Sequence, residues 1–94
     1  NDRERRAAPA LHRALGQARR LFEVGERDAS VLGSAVREVL NENPVISTEY
    51  VSVCSVADLR ELDRLDMGGL VAIACRLGAT RLIDNTLLGN ATLS

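Results

Sequence analysis

The first part of the chain repeats its hydrophobic residues every three or four positions, which is the spacing of one helix face. This spacing predicts a first helix from residue 1 to about Val24, with Asn1 and Glu4 forming a capping box and Gly25 ending it. Its predicted buried stripe consists of Ala8, Leu11, Leu15, Ala18 and Phe22. Pro9 lies inside the pattern, so we expect a kink or a loosened first turn there.

A second helical pattern begins after Asp28 or Ser30, either of which can act as its N-cap. The pattern stops at Asn41–Pro44, because the residue before a proline is driven out of the helical conformation. We expect its buried stripe to contain Val31, Leu32, Ala35, Val36, Val39 and Leu40. The two helices are predicted to form a hairpin.

From Val45 the hydrophobic period changes to two, the alternation of a strand, and it predicts a strand over residues 47–54. Leu70–Cys75 is apolar at every position, which is typical of a central strand covered on both faces. Leu77–Ala79 then forms a turn, and a return strand begins at Thr80, so the last two strands are predicted to form an antiparallel hairpin.

The segment between the first two strands, Ser55–Asp66, carries three leucines among charged residues. Their spacing predicts a helical turn or short helix that covers one edge of the sheet, capped by Ser55 or Asp58. The residues after Leu88 are expected to fray. The resulting fold class is α+β, a single domain over residues 1–94 in which a helical hairpin packs on a small three-stranded, mostly antiparallel sheet.

Composition narrows the possible chemistry. The chain has 94 residues, of which 46% are hydrophobic, and its 12 basic residues are all arginine. The lack of lysine excludes Schiff-base chemistry and a phosphate-loop lysine within this sequence. One histidine and two cysteines, Cys54 and Cys75, give no pattern for a metal centre or a disulfide framework. We expect two reduced, buried cysteines, a cytosolic location and no membrane segment.

The net charge of −1 is unevenly distributed. Residues 1–27 hold seven arginines against four acids, a balance of +3, whereas residues 28–66 hold three arginines against eight acids, a balance of −5. A basic first helix on an acidic body suits an anion or an acidic partner. A nucleic-acid binder is the least expected class, because such domains are basic overall and stack bases on aromatic side chains, of which this chain has only one Phe and one Tyr.

Two groups of side chains are candidates for function in the first helix. The stripe of Arg6, Arg13, Arg20 and Arg27 lies opposite the predicted core stripe. It could hold phosphates through guanidinium forks, or it could be a solvated helix face with weak surface ion pairs. His12 could act as a base or simply lie at the boundary of the core.

The hairpin carries the strongest candidate for ligand binding. Arg76 and Arg81 flank the turn, and Asp84 and Asn85 follow, so these four residues could present a ligand-facing rim. The alternative is a structural ion pair between an arginine and Asp84, with Asn85 bonded to a local backbone group. No residues form a recognisable catalytic triad, carboxylate pair or glycine-rich phosphate loop, so we assign no catalytic residue and no metal ligand.

The hairpin sequence from Arg76 to Asn85, RLGATRLIDN, preceded by the apolar strand, resembles the end of the pantothenate synthetase (pantoate–β-alanine ligase) family. The match extends to the arginine- and alanine-rich segment from Arg5 to Leu15, to Glu49–Val53 with its central tyrosine, and to Asp58-Leu59. Together these segments cover nearly the whole chain, to about Leu88.

The resemblance implies that the chain is the C-terminal lid domain of a two-domain enzyme whose N-terminal nucleotide-binding domain is absent. Such an enzyme condenses pantoate with β-alanine, using ATP with Mg²⁺, through a pantoyl-adenylate, and releases AMP and pyrophosphate. The family's nucleotide motif and lysine-containing loop belong to the absent domain, as does its dimer interface. By this implication the 94 residues alone are inactive and bind no cofactor, and their partner is their own N-terminal domain.

Two other hypotheses remain open from the residues alone. One is a stand-alone adaptor or oligomerisation module whose arginine-rich first helix binds an acidic partner. The other, less well supported by the charge balance, is an arginine-based binder of nucleic acid.

Overall fold

The computed structural model describes residues 2–89. It contains two helices, α1 (Asp2–Glu23) and α2 (Ala29–Asn41), followed by three strands, β1 (Ser47–Cys54), β2 (Gly69–Leu77) and β3 (Thr80–Leu88). This order confirms the α+β prediction of a helical hairpin on a three-stranded sheet. The capping box at Asn1 and the tail after Gly89 lie outside the described residues.

Helix α1 confirms its predicted length and core face, with one difference. Ala8 is exposed and Ala7 is buried in its place, at helical spacing from Leu11. Pro9 does not end the helix, because α1 continues across that residue. Pro9 lies on the exposed side, where water can satisfy the carbonyl group that a proline leaves without a donor. Gly25, with φ of 109°, follows the end of the helix.

Helix α2 starts as predicted. The Asp28 carboxylate accepts a hydrogen bond from the backbone N–H of Ser30 at 2.9 Å, so Asp28 and not Ser30 is the N-cap. The buried stripe is narrower than predicted: Val31 is 41% exposed, Ala35 and Val39 are half-buried, and the buried residues are Ala29, Leu32, Val36 and Leu40.

The sheet has the order β1-β2-β3, and both pairings are antiparallel. The predicted bounds of β1 are confirmed, while β2 and β3 are longer than the sequence indicated. A β-bulge interrupts the β1–β2 register between Thr48 and Tyr50. Strands β2 and β3 are joined by the two-residue turn Gly78-Ala79. Gly78 has φ of 64°, and a glycine with positive φ at this first position is what a type II′ hairpin turn requires.

The helices cover one face of the sheet. On that face Val71, Ile73, Cys75 and Leu77 of β2 join the hydrophobic core. On the other face of β2, Ala74 is buried, Leu70 and Ala72 are half-buried and Arg76 is exposed. Within residues 2–89 the predicted cover is therefore complete on the helix side of this strand and only partial on its second face. We call the second face, with the residues of β1 and β3 that share it, the open face.

Residues 55–66 do not form the predicted helix. They form turns and two isolated bridges, Cys54 with Glu61 and Asp28 with Arg64, that tie the segment to β1 and to the start of α2. The predicted caps hold turns instead: the Ser55 hydroxyl accepts from the Ala57 N–H and Asp58 accepts from the Arg60 N–H. A short isolated helix is only marginally stable in water, so this segment instead forms backbone hydrogen bonds with neighbouring elements.

Candidate functional site

The β2–β3 hairpin brings two positive charges face to face. Arg76 and Arg81 are direct partners in the register, one residue before and one after the Leu77–Thr80 pair that encloses the turn. Both side chains leave the sheet on the open face and are about half exposed. Like charges directly opposite each other on neighbouring strands are destabilising unless another group compensates them.

Glu49 of β1 supplies the compensating charge. Its carboxylate accepts a hydrogen bond from Nε of Arg76 through Oε2 and one from Nε of Arg81 through Oε1, each at 2.7 Å. Glu49 occupies the bulge in β1, opposite the end of β2 that carries Arg76. The bulge leaves Glu49 without a partner of its own in the ladder and redirects its side chain. We call these three residues the Arg–Glu–Arg cluster.

The cluster carries a net positive charge. The hydrogen bonds from Arg76 and then Arg81 lower the pKa of Glu49, so its carboxyl stays ionised at neutral pH. One carboxylate against two guanidiniums leaves a charge of about +1. An arginine has five N–H donors, and only the Nε–H of each is used by Glu49. Among the side chains that the structure describes, the terminal nitrogens of both arginines have no hydrogen-bond partner.

The other two hairpin candidates do not join this cluster. Asp84 pairs with Ile73 in the register and lies on the helix-covered face, so an ion pair from either arginine to Asp84 does not form. Its carboxylate instead accepts the backbone N–H of Asn85 at 2.8 Å. Asn85 lies on the open face, but four residues along β3 separate it from Arg81, a distance of about 13 Å.

The arginine stripe of the first helix is only partly as predicted. Arg6, Arg13 and Arg20 are exposed, as is His12. Arg27 lies beyond the end of α1 and has a structural role: its guanidinium is 3.7 Å from the centre of the Phe22 ring and donates to the Phe22 carbonyl at 2.7 Å. The stripe therefore does not present four guanidiniums to one ligand.

The cysteines offer no nucleophile. Both are free and buried. Cys54 lies on the open face and Cys75 on the helix-covered face, and burial raises the pKa of the Cys75 thiol, which keeps it protonated at neutral pH. In the described part of the chain, no group of three or more metal-ligating side chains comes together, and neither helix is long and apolar enough to cross a membrane.

A groove of about 510 Å³ lies away from the cluster, between α2 and the β1 side of the sheet. It mixes Arg37 with the acidic residues Asp28, Glu61 and Asp63. None of the four hairpin candidates lines it. The Arg–Glu–Arg cluster therefore remains the best candidate site, with Glu49 as the residue that sequence reasoning missed.

Comparison with known proteins gives a consistent result. The family model described as pantoate-beta-alanine ligase matches residues 1–87. The pantothenate synthetase of Roseiflexus castenholzii is 44% identical over 88 residues, which is 94% of this chain and 32% of the relative. The enzyme of the same name from Chloroflexus aurantiacus is 46% identical over 89 residues, with the same two coverages.

Comparison with solved structures points to the same family. The crystal structure of pantothenate synthetase from Thermus thermophilus superposes with a TM-score of 0.80 at 29% identity, covering 88% of this chain and 30% of that one. The chain thus spans about a third of the length of the curated relatives it matches.

Proposed function

Because the chain belongs to the pantoate–beta-alanine ligase family, we propose that it is the C-terminal lid domain of a pantothenate synthetase. The whole enzyme would condense pantoate with β-alanine at the expense of ATP, through a pantoyl-adenylate, and would release AMP and pyrophosphate. The observation that carries the proposal is the coverage: the family model spans nearly the whole chain, yet the chain spans only about a third of its relatives.

The chemistry of the described residues supports a role in covering a site. A lid closes over the bound nucleotide and excludes water from an acyl-adenylate that water would hydrolyse. That task requires a stable fold and a complementary surface, and it needs no nucleophile. The buried cysteines and the lone exposed histidine of this chain agree with such a role.

ATP and Mg²⁺ would be bound chiefly by the N-terminal domain of this enzyme. The described residues include no cluster of carboxylates suited to hold Mg²⁺, so they do not fit a metal site. We propose that the principal partner of the chain is this N-terminal domain, through which the enzyme also forms a homodimer in the cytoplasm. The stand-alone adaptor is not favoured, because a ligase family model accounts for residues 1–87.

Release of AMP tests the proposal. With pantoate, β-alanine and ATP, the 94-residue chain alone should release no AMP above background, whereas the gene product with its upstream coding region restored should turn over. Omission of β-alanine from the longer protein is the control for simple hydrolysis of ATP. Turnover by the 94 residues alone would overturn the assignment as a lid.

A further inference from the structure

The Arg–Glu–Arg cluster has the properties of an anion site. Its two arginines lie on paired strands of a sheet, so the positions of their backbones are set by the hydrogen bonds of the sheet and not by a loop. Directly opposite residues of an antiparallel pair have Cα atoms about 5 Å apart. Both side chains are therefore within reach of one small anion.

Glu49 orients the two arginines without neutralising them. It occupies the Nε–H of each guanidinium at 2.7 Å and so fixes both planes relative to one carboxylate. The terminal nitrogens, which form the two-pronged end of an arginine, remain for another acceptor. The local charge of about +1 favours an anion with several negative charges over a second single carboxylate.

We infer that Arg76 and Arg81, oriented by Glu49, form a binding site for a phosphate group on the open face of the lid. The phosphate belongs to ATP or to released pyrophosphate, two sources with the same chemistry. Planar guanidinium forks match phosphate oxygens and keep their charge at any working pH. The choice of phosphate over carboxylate rests on the proposed function, which supplies an oligophosphate substrate and product.

The geometry also limits the site. Asp84 lies on the other face, and Asn85 lies about 13 Å from Arg81 along β3, so neither can contact the same phosphate group. Of the four residues first considered at the hairpin, only the two arginines therefore belong to the site. Glu49 is a positioning residue, because it acts on the ligand through the arginines.

Titration of the 94-residue chain with inorganic pyrophosphate tests the inference. Arginine side-chain Nε–H signals in ¹⁵N-resolved NMR are the readout, at low and matched ionic strength. Contrary to the expectation that these 94 residues alone bind no cofactor, the cluster predicts saturable shifts at Arg76 and Arg81, and at least about tenfold weaker binding in Arg81→Gln. Arg81→Lys, which keeps the charge but loses the fork, should recover only part of the affinity. Parallel titrations with MgATP and inorganic phosphate identify the source of the phosphate.

Arg64→Gln is the matched control. Arg64 is an exposed arginine that donates from Nε to the Asp66 carboxylate at 2.7 Å, the same kind of bond that Arg76 and Arg81 make to Glu49. Its loss should leave pyrophosphate binding unchanged. An unchanged affinity in Arg81→Gln, shifts that follow the arginines of α1, or equal shifts with acetate would each overturn the inference. Binding is measured without turnover, so failure of this site and failure of the proposed function give different results.

Discussion

At the scale of single residues, Glu49 allows two arginines to face each other across the β2–β3 hairpin. Its two oxygens each accept one Nε–H at 2.7 Å. These bonds from charged donors are much stronger with the ionised carboxyl than with the protonated one, which is why the pKa of Glu49 is lowered in the folded chain. Stability of the hairpin is therefore linked to the protonation of this residue.

The linkage predicts a pH dependence. Glu49 contributes stability above the ordinary glutamate pKa of about 4.3, and this contribution is lost as pH falls through the lowered pKa of the folded chain. In Glu49→Gln the contribution is absent at every pH. The gap in free energy of unfolding between the two chains should therefore be widest at neutral pH and close on acidification, as urea denaturation at a series of pH values can measure.

Glu38→Gln, which removes an exposed carboxyl from α2, is the control for loss of a charge alone. The difference in free energy of unfolding between Glu38→Gln and the unsubstituted chain should change less with pH than the difference for Glu49→Gln. A gap for Glu49→Gln that stays constant from neutral pH to about pH 3 would show that the ion pairs do not stabilise the fold.

The sequence indicated two of the three residues in this cluster. Arg76 and Arg81 could be placed because a hairpin pairs residues symmetrically about its turn. Glu49 could not, because simple alternation along β1 contains no sign of the bulge that redirects it. Asp84 is close to Arg81 in sequence, but the alternation of β3 puts the two side chains on opposite faces of the sheet.

At the scale of elements, the end of α1 is joined to the end of β3 by close packing at Gly89. A Cβ atom added to Gly89 would lie 2.7 Å from the Phe22 ring, and the residue has φ of 67°. The ring cannot easily move away, because the Arg27 guanidinium is stacked on it. This contact holds the helical layer against the last strand.

Gly89→Ala should lower the free energy of unfolding by about 3 kcal/mol, through the positive φ and the clash together. Gly78→Ala is a matched control, because Gly78 has nearly the same φ, 64°, and nothing within 4 Å of its added Cβ. Gly78→Ala should lower the free energy of unfolding by about 1 kcal/mol, because only the positive φ disfavours alanine there. Chemical denaturation measures both, and equal losses would show that Phe22 is free to yield.

The spacing of hydrophobic residues predicted most of the helices and strands. It failed for residues 55–66, where contacts with distant parts of the chain determine the backbone conformation. Both helices and the bounds of β1 follow from periodicity, because each element buries one continuous face. The segment 55–66 has leucines at helical spacing, but only Leu65 is fully buried and Leu59 is 66% exposed with a positive φ. Its backbone pairs with β1 and with the start of α2, a long-range contact that no local spacing reveals.

At the scale of the whole molecule, the helices cover one face of the sheet while the central strand is apolar on both. Sequence alone predicted a strand covered on both sides and could not say what covers the second face. Exposed apolar residues such as Ile83 lie there, alongside the Arg–Glu–Arg cluster. This combination fits the proposed role of the chain as a lid that closes over a substrate held by another domain.

The most direct test of the account is a chimera. The segment of the Roseiflexus castenholzii pantothenate synthetase that matches this chain is replaced by residues 1–88, and AMP release is measured with pantoate, β-alanine and ATP. We predict turnover within about tenfold of the parent enzyme, while the same enzyme with the segment deleted shows none. A chimera that folds, as its melting curve shows, but releases no more AMP than the deletion would contradict the assignment of this chain as the lid of a pantoate-activating ligase.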